Sequence, residues 1–298
     1  MTKQTRNWLI ALLVIYCVPV FVVVGLVTFL VLRPLPPLPH LPNPNGYDDL
    51  VNAAKLVSTN TAGYAKMTAY QLRPVVQGNA GALSLARDGL DKGCGVPVQY
   101  SQDGQRNATG NYVKLRKLGE AFAAEGRLAE LEKRPGAAAN SYVDLMRLGA
   151  ATEHGGILID AMVGSGIESL GATGLQKFVN QSDAKTCRET AAALETLDAV
   201  KPSWQDVLKQ EDNWIRRTFG APAILVEFVF HRQMKQRNGQ RTQKSYQAEH
   251  LKERRLMIDF ASRAYELDKG HHPASAADLV PEYLKAVPKS PGTGQNLN

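Results

Sequence analysis

WLIALLVIYCVPVFVVVGLVTFLVL, residues 8–32, runs for 25 positions without a charge. At a helical rise of ~1.5 Å per residue the run reaches roughly 37 Å, more than the roughly 30 Å hydrocarbon core of a bilayer, which predicts one tilted transmembrane helix. Pro19 would kink a helix in water, but in a bilayer neighbouring groups can satisfy the carbonyl that it frees. A cleaved signal peptide has a shorter apolar core of ~7–15 residues and then a small-residue cleavage site. This run is longer, and the VLRPLPPLP at its end contains no A-x-A pattern. The reading is an uncleaved anchor, embedded in the lipid bilayer through residues 8–32.

The flanks of the run set its orientation. Lys3 and Arg6 precede it, and Arg33 is the only charge between it and Asp48. The positive-inside bias therefore expects residues 1–7 in the cytoplasm and the body exported across the membrane. RPLPPLPHLPNPNG, residues 33–46, carries six prolines. Such a stretch favours extended polyproline II at ~3.1 Å per residue, a stiff stalk of roughly 30 Å or a little more.

The composition of the 298-residue chain is that of a folded protein, with 21% charged and 44% apolar residues. The formal net charge is +7, but Lys3, Arg6 and Arg33 flank the apolar run, leaving 32 basic against 28 acidic residues. So mild a surplus, without a concentrated basic face, gives no reason to expect nucleic acid as a partner.

The body, 47–268, reads as all-α. Tyr47, Leu50, Val51 and Ala54 recur at i, i+3, i+4, i+7 and predict a helix over 47–58. Further helices are predicted over 79–92, 110–133, 136–152, 155–179, 183–199, 203–219, 221–236 and 243–268, with a loop over 94–110. The 155–179 segment carries Gly164, Gly166, Gly171 and Gly174 among Ile157, Ile159, Met162 and Ile167. Glycine costs helix stability, so its frequency there implies close approach between helices. Few runs alternate with period two, which argues against a large sheet. In the tail, 269–298, Ser275 and Asp278 have capping-box spacing. Leu115, Leu118, Gly119, Phe122, Gly126, Ala138, Tyr142 and Leu145 approach the spacing of a tetratricopeptide unit, but no second copy is in register, so they predict an ordinary helical hairpin.

Few residues suggest chemistry. In an exported body Cys94 and Cys187 could form a disulfide, although Cys187 also falls in register with the apolar Ala191 and Leu194. Glu227 and His231 are four apart, and His250 and Glu253 three apart, but Glu-x-x-His and HExxH are both absent, so no metal is expected. No cofactor motif occurs either. Asp160 and Glu211 sit on otherwise apolar faces, where a buried carboxylate could act as a general acid or base or else as half of a salt bridge. Residues 231–255 hold eight Lys or Arg against two Glu around NGQRTQ, which suggests the solvated tip of a helical hairpin or a contact for anionic polymer.

FASRAYELDKGHHPASAADLVPEYLKAVPKSPGTG, at 260–294, resembles the tail that follows the long helix of type II secretion major pseudopilins. Gly270, Pro273, Asp278, Leu279, Val280, Pro281, Tyr283, Leu284, Pro288 and the turn over 291–294 carry the likeness. MTKQTRNWLIALL lacks the prepilin-peptidase site of that family, so pilus assembly is not implied. The whole chain is similar to uncharacterised bacterial membrane-anchored helical envelope proteins, a likeness that includes the C-x-x-P element at 94–97. That resemblance implies the inner membrane and an architecture, not an activity. The functional expectation is a tethered interaction or scaffold domain with an envelope protein as partner. The alternatives are an envelope hydrolase using Asp160 or Glu211, or a binder of anionic envelope polymer.

Overall fold

The computed structural model describes residues 34–35, 37–58, 60–220 and 232–297, together with 16, 18, 20–22, 24–25 and 28–29. Most of the predicted transmembrane run lies outside the described residues, as does 221–231 with Glu227 and His231. Among the described residues no helix is long and apolar enough to cross a membrane.

The described body is all-helical, with no strand and only an isolated antiparallel bridge between Lys289 and Asn296. Its helices are α1 (Gly46–Leu56), α2 (Ala69–Gly78), α3 (Ala80–Leu90), α4 (Gln102–Leu131), α5 (Pro135–Glu153), α6 (Leu158–Gln176), α7 (Ala184–Val200), α8 (Trp204–Phe219) and α9 (Arg232–Lys269). Most starts have a chemical cause. Asn45, Ser101, Asp183 and Ser203 each accept a backbone N–H of the first turn that follows them. Pro135 opens α5, where its missing N–H costs nothing.

Three expectations need correcting. Helix α2 is absent from the predicted set, and Pro74 lies inside it. Thr68 and Gln71 nonetheless form a reciprocal capping box, and Leu72 is fully buried. Helix α4 begins at Gln102, so the 94–110 loop ends at its Ser101 cap. Residues 238–243 are not a hairpin tip: α9 runs through Gly239 for 38 residues. Its Lys, Arg and Gln are good helix formers, and together they offset the ~1 kcal/mol that one glycine costs.

The expected hairpin over 110–152 is α4 against α5. Leu115, Leu118, Phe122, Ala138, Tyr142 and Leu145 are all buried in the main core. A side chain at Gly126 would meet the Tyr142 ring at 2.8 Å, and one at Gly119 would meet Leu145 at 3.1 Å. The tetratricopeptide-like spacing therefore reflects two helices pressed together. Helices α7 and α9 close the other side of the core, and the tail packs Leu279, Tyr283 and Leu284 into it. The Ser275–Asp278 capping box forms, on a short 3-10 turn.

Helices α5 and α6 make the most extensive helix contact. A Cβ at Gly149 would lie 2.3 Å from Glu168 Cγ and 2.6 Å from Gly164 O; one at Gly164 would lie 2.4 Å from Glu153 Cγ. At Gly171 it would lie 2.8 Å from Tyr142 O, whereas Gly166 faces open space. Gly164→Ala is therefore expected to destabilise the protein by about 1–3 kcal/mol or more through overpacking. Gly166→Ala, two positions away, should be neutral or stabilising by up to about 1 kcal/mol. Chemical unfolding followed by circular dichroism reads both, and equal effects would contradict the packing described.

Candidate functional site

Five ionisable side chains meet inside the body at the α5–α6 contact. Glu153 ends α5, Glu168 lies in α6, Lys201 caps α7, and His250 and Glu253 lie one turn apart on α9. All are buried: Glu168 is 0% exposed, Glu153 1%, His250 and Glu253 6%, and the Lys201 side chain 4%. Charges at that depth are costly unless paired.

Lys201 supplies part of the pairing. Its Nζ donates to Glu168 Oε2 at 2.8 Å and also to Glu253 Oε2. The Tyr246 hydroxyl lies 3.1 Å from Glu153 Oε2 and 3.1 Å from the Pro202 carbonyl, and its ring stacks on His250 with centroids 4.1 Å apart. Trp204 packs against Tyr246 with ring centroids 5.5 Å apart. Every fixed oxygen thus has an unfixed twin. Glu153 Oε1, Glu168 Oε1, Glu253 Oε1 and His250 Nε2 have no hydrogen-bond partner among the described residues.

The electrostatics follow from burial and from three carboxylates facing one ammonium. Burial pushes Glu153 up to about 7, with Lys201 opposing the shift. Burial raises Glu168 as well, again against Lys201. Burial also pushes His250 down to about 3, with Lys201 adding to the effect, so its imidazole is neutral. For Lys201 burial favours the neutral amine, but the three glutamates outweigh it and its pKa is raised. The donor atoms of Glu153, Glu168 and His250 all lie within 4.8 Å of one another, a spacing that a metal ion could bridge. A cleft of about 410 Å³ between α9, the α7–α8 link and the tail reaches Lys201, Tyr246 and His250.

Asp160 and Glu211 come together elsewhere. Asp160 Oδ2 accepts the Ile157 N–H at 2.8 Å and Glu211 Oε2 accepts the Leu158 N–H at 2.9 Å, so both cap the start of α6. Burial pushes Asp160 up to about 6, while the Ile157 N–H and the Tyr112 hydroxyl oppose the shift and Glu211 adds to it. Helix N-termini favour such carboxylates, which gives both a structural task.

Cys94 and Cys187 are free thiols. Cys94 shares a groove with Leu197 and Val200 of α7, and Cys187 lies ten or more residues earlier on that helix, roughly 15 Å along the axis. Burial pushes each up to about 11, so neither is a thiolate at neutral pH. His40, His154, His271 and His272 are exposed. In the 231–255 segment, Arg254 pairs with Asp198 and Lys252 with Glu249, which dilutes the basic face.

Sequence reasoning noted the spacing of His250 and Glu253 but expected no metal from it, and it missed Glu153, Glu168 and Lys201. The signal for two of them was present: Glu153 follows LGAAT and Glu168 lies between Gly164 and Gly171. A charge among small residues on a packed face must find a partner there. No protein-family model matches the chain, and neither a curated protein nor a solved structure matches it.

Two outcomes follow. Lys201→Met strands Glu168 and Glu253 and should cost about 3–5 kcal/mol, part of it recovered by adding Glu168→Gln; unfolding midpoints of the single and double variants measure this. Asp160 is an acid whose pKa is raised on folding, from 3.8 to about 6. Its contribution is complete below its unfolded pKa and is lost as pH rises through the folded one. Between those values wild type should lose up to about 3 kcal/mol relative to Asp160→Asn. Parallel pH profiles for the two proteins would contradict this.

Proposed function

We propose that the chain is a membrane-tethered helical domain of the bacterial cell envelope, acting as an interaction or scaffold protein. The uncharged run at 8–32 carries this reading. Consistent with it, Tyr16, Phe21 and Phe29 are 70%, 75% and 68% exposed, an arrangement that lipid favours and water does not. The prolines of 33–46 then act as a spacer, and two of its residues anchor the domain end. Asn45 donates to the Gly95 carbonyl at 2.8 Å and accepts the Gly95 N–H at 3.0 Å. Pro42 packs near Gly93 and Gly95. The stalk thereby joins the 93–97 strap, whose Val96 N–H bonds the His154 carbonyl at the end of α5.

The hydrolase alternative has less support, because Asp160 and Glu211 are already engaged as helix caps. A polymer-binding face at 231–255 has less too, since its described basic residues include two held by ion pairs.

Alkaline carbonate extraction should leave the full chain in the membrane pellet and release a chain that lacks residues 1–33. A C-terminal reporter active only outside the cytoplasm should be active. Crosslinking in intact cells should give a discrete adduct that depends on the tether. A carbonate-soluble full chain, or a reporter active only in the cytoplasm, contradicts the tether; tethered protein with no adduct contradicts the scaffold role.

A further inference from the structure

We propose that Glu153, Glu168 and His250 form a binding site for one divalent first-row transition-metal ion. The site is independent of the tether and goes beyond the interaction role.

Three observations converge on it. The first is spacing. The three donor atoms lie within 4.8 Å of one another, and donors around such an ion, each at about 2.0–2.2 Å, sit roughly 3–4 Å apart. A pair at the full 4.8 Å closes by about 1–2 Å on binding.

The second is the pattern of used and unused atoms. Tyr246 holds Glu153 Oε2 and Lys201 holds Glu168 Oε2. The other oxygen of each, and His250 Nε2, are buried and without a hydrogen-bond partner among the described residues. When ionised, the two carboxylates only accept and cannot satisfy one another; the protonated form, in which one donates to the other, is the state that an ion displaces. One cation can take an oxygen from each glutamate and a ring nitrogen from His250. Tyr246 and Lys201 then fix the orientation of the ligands, as partners of metal-bound side chains commonly do.

The third is charge. With the protons on Glu153 and Glu168 released on binding, the three glutamates against Lys201 carry two negative charges, which one divalent ion brings to zero. An imidazole with carboxylates suits zinc, manganese, iron or cobalt; calcium and magnesium prefer oxygen-only sets. The cleft at His250 provides a way in.

The test uses the untagged full chain in detergent, stripped with chelator and titrated with Co²⁺ at neutral pH. One equivalent should bind with the visible absorption of a nitrogen- and oxygen-ligated ion, and Zn²⁺ should displace it. His250→Asn and Glu153→Gln should each weaken binding by at least about tenfold while circular dichroism stays unchanged, and Glu249→Gln on the surface of α9 should bind as wild type does. No stoichiometric uptake by the wild-type chain would overturn the site without reference to any variant. Uptake that persists unchanged in a folded His250→Asn protein would overturn it as well, because the ion would then lie elsewhere.

Discussion

The contact between α5 and α6 governs both the packing and the polar centre. Each helix gives up a side chain where the other carries a glutamate: Gly149 makes room for Glu168, and Gly164 for Glu153. Two backbones that close together keep both carboxyl groups away from bulk solvent. The same glycines that let the core form therefore bring two buried acids into one place. Lys201, at the end of α7, and His250 and Glu253, on α9, complete the arrangement from the opposite side.

That coupling explains why the architecture was legible in sequence and the polar centre was not. Helix α1 announces itself through Tyr47, Leu50 and Ala54, and α7 through Cys187, Ala191 and Leu194, because local periodicity reports a buried face. The misses were local conflicts that other forces settled. Helix α2 forms around Pro74 from a Thr68 and Gln71 capping box that was readable in the sequence. NGQRTQ suggested a turn within α9, where its neighbours keep the chain helical.

The polar centre follows a different rule. Its residues span positions 153 to 253, and spacing templates such as Glu-x-x-His require donors on one helix. Here α5 and α6 give one donor each and α9 gives the imidazole, so no short motif exists to be found. The readable clue is chemical: a glutamate among glycines and alanines on a tightly packed helix. Asp160 and Glu211 passed a similar criterion and proved to be partners of backbone N–H groups. A buried carboxylate thus has two common fates, helix cap or member of a cluster, and only tertiary structure separates them.

The stalk meets the domain through Asn45 and the 93–97 strap, and the strap bonds the end of α5 next to Glu153. The strap and the polar centre therefore meet at the end of α5. The account is tested most directly by an anomalous-difference map from crystals of the full chain grown with Zn²⁺ or Mn²⁺. It predicts a single interior peak bounded by Glu153, Glu168 and His250. A map without a peak there, with the two glutamates joined through a shared proton, would contradict it.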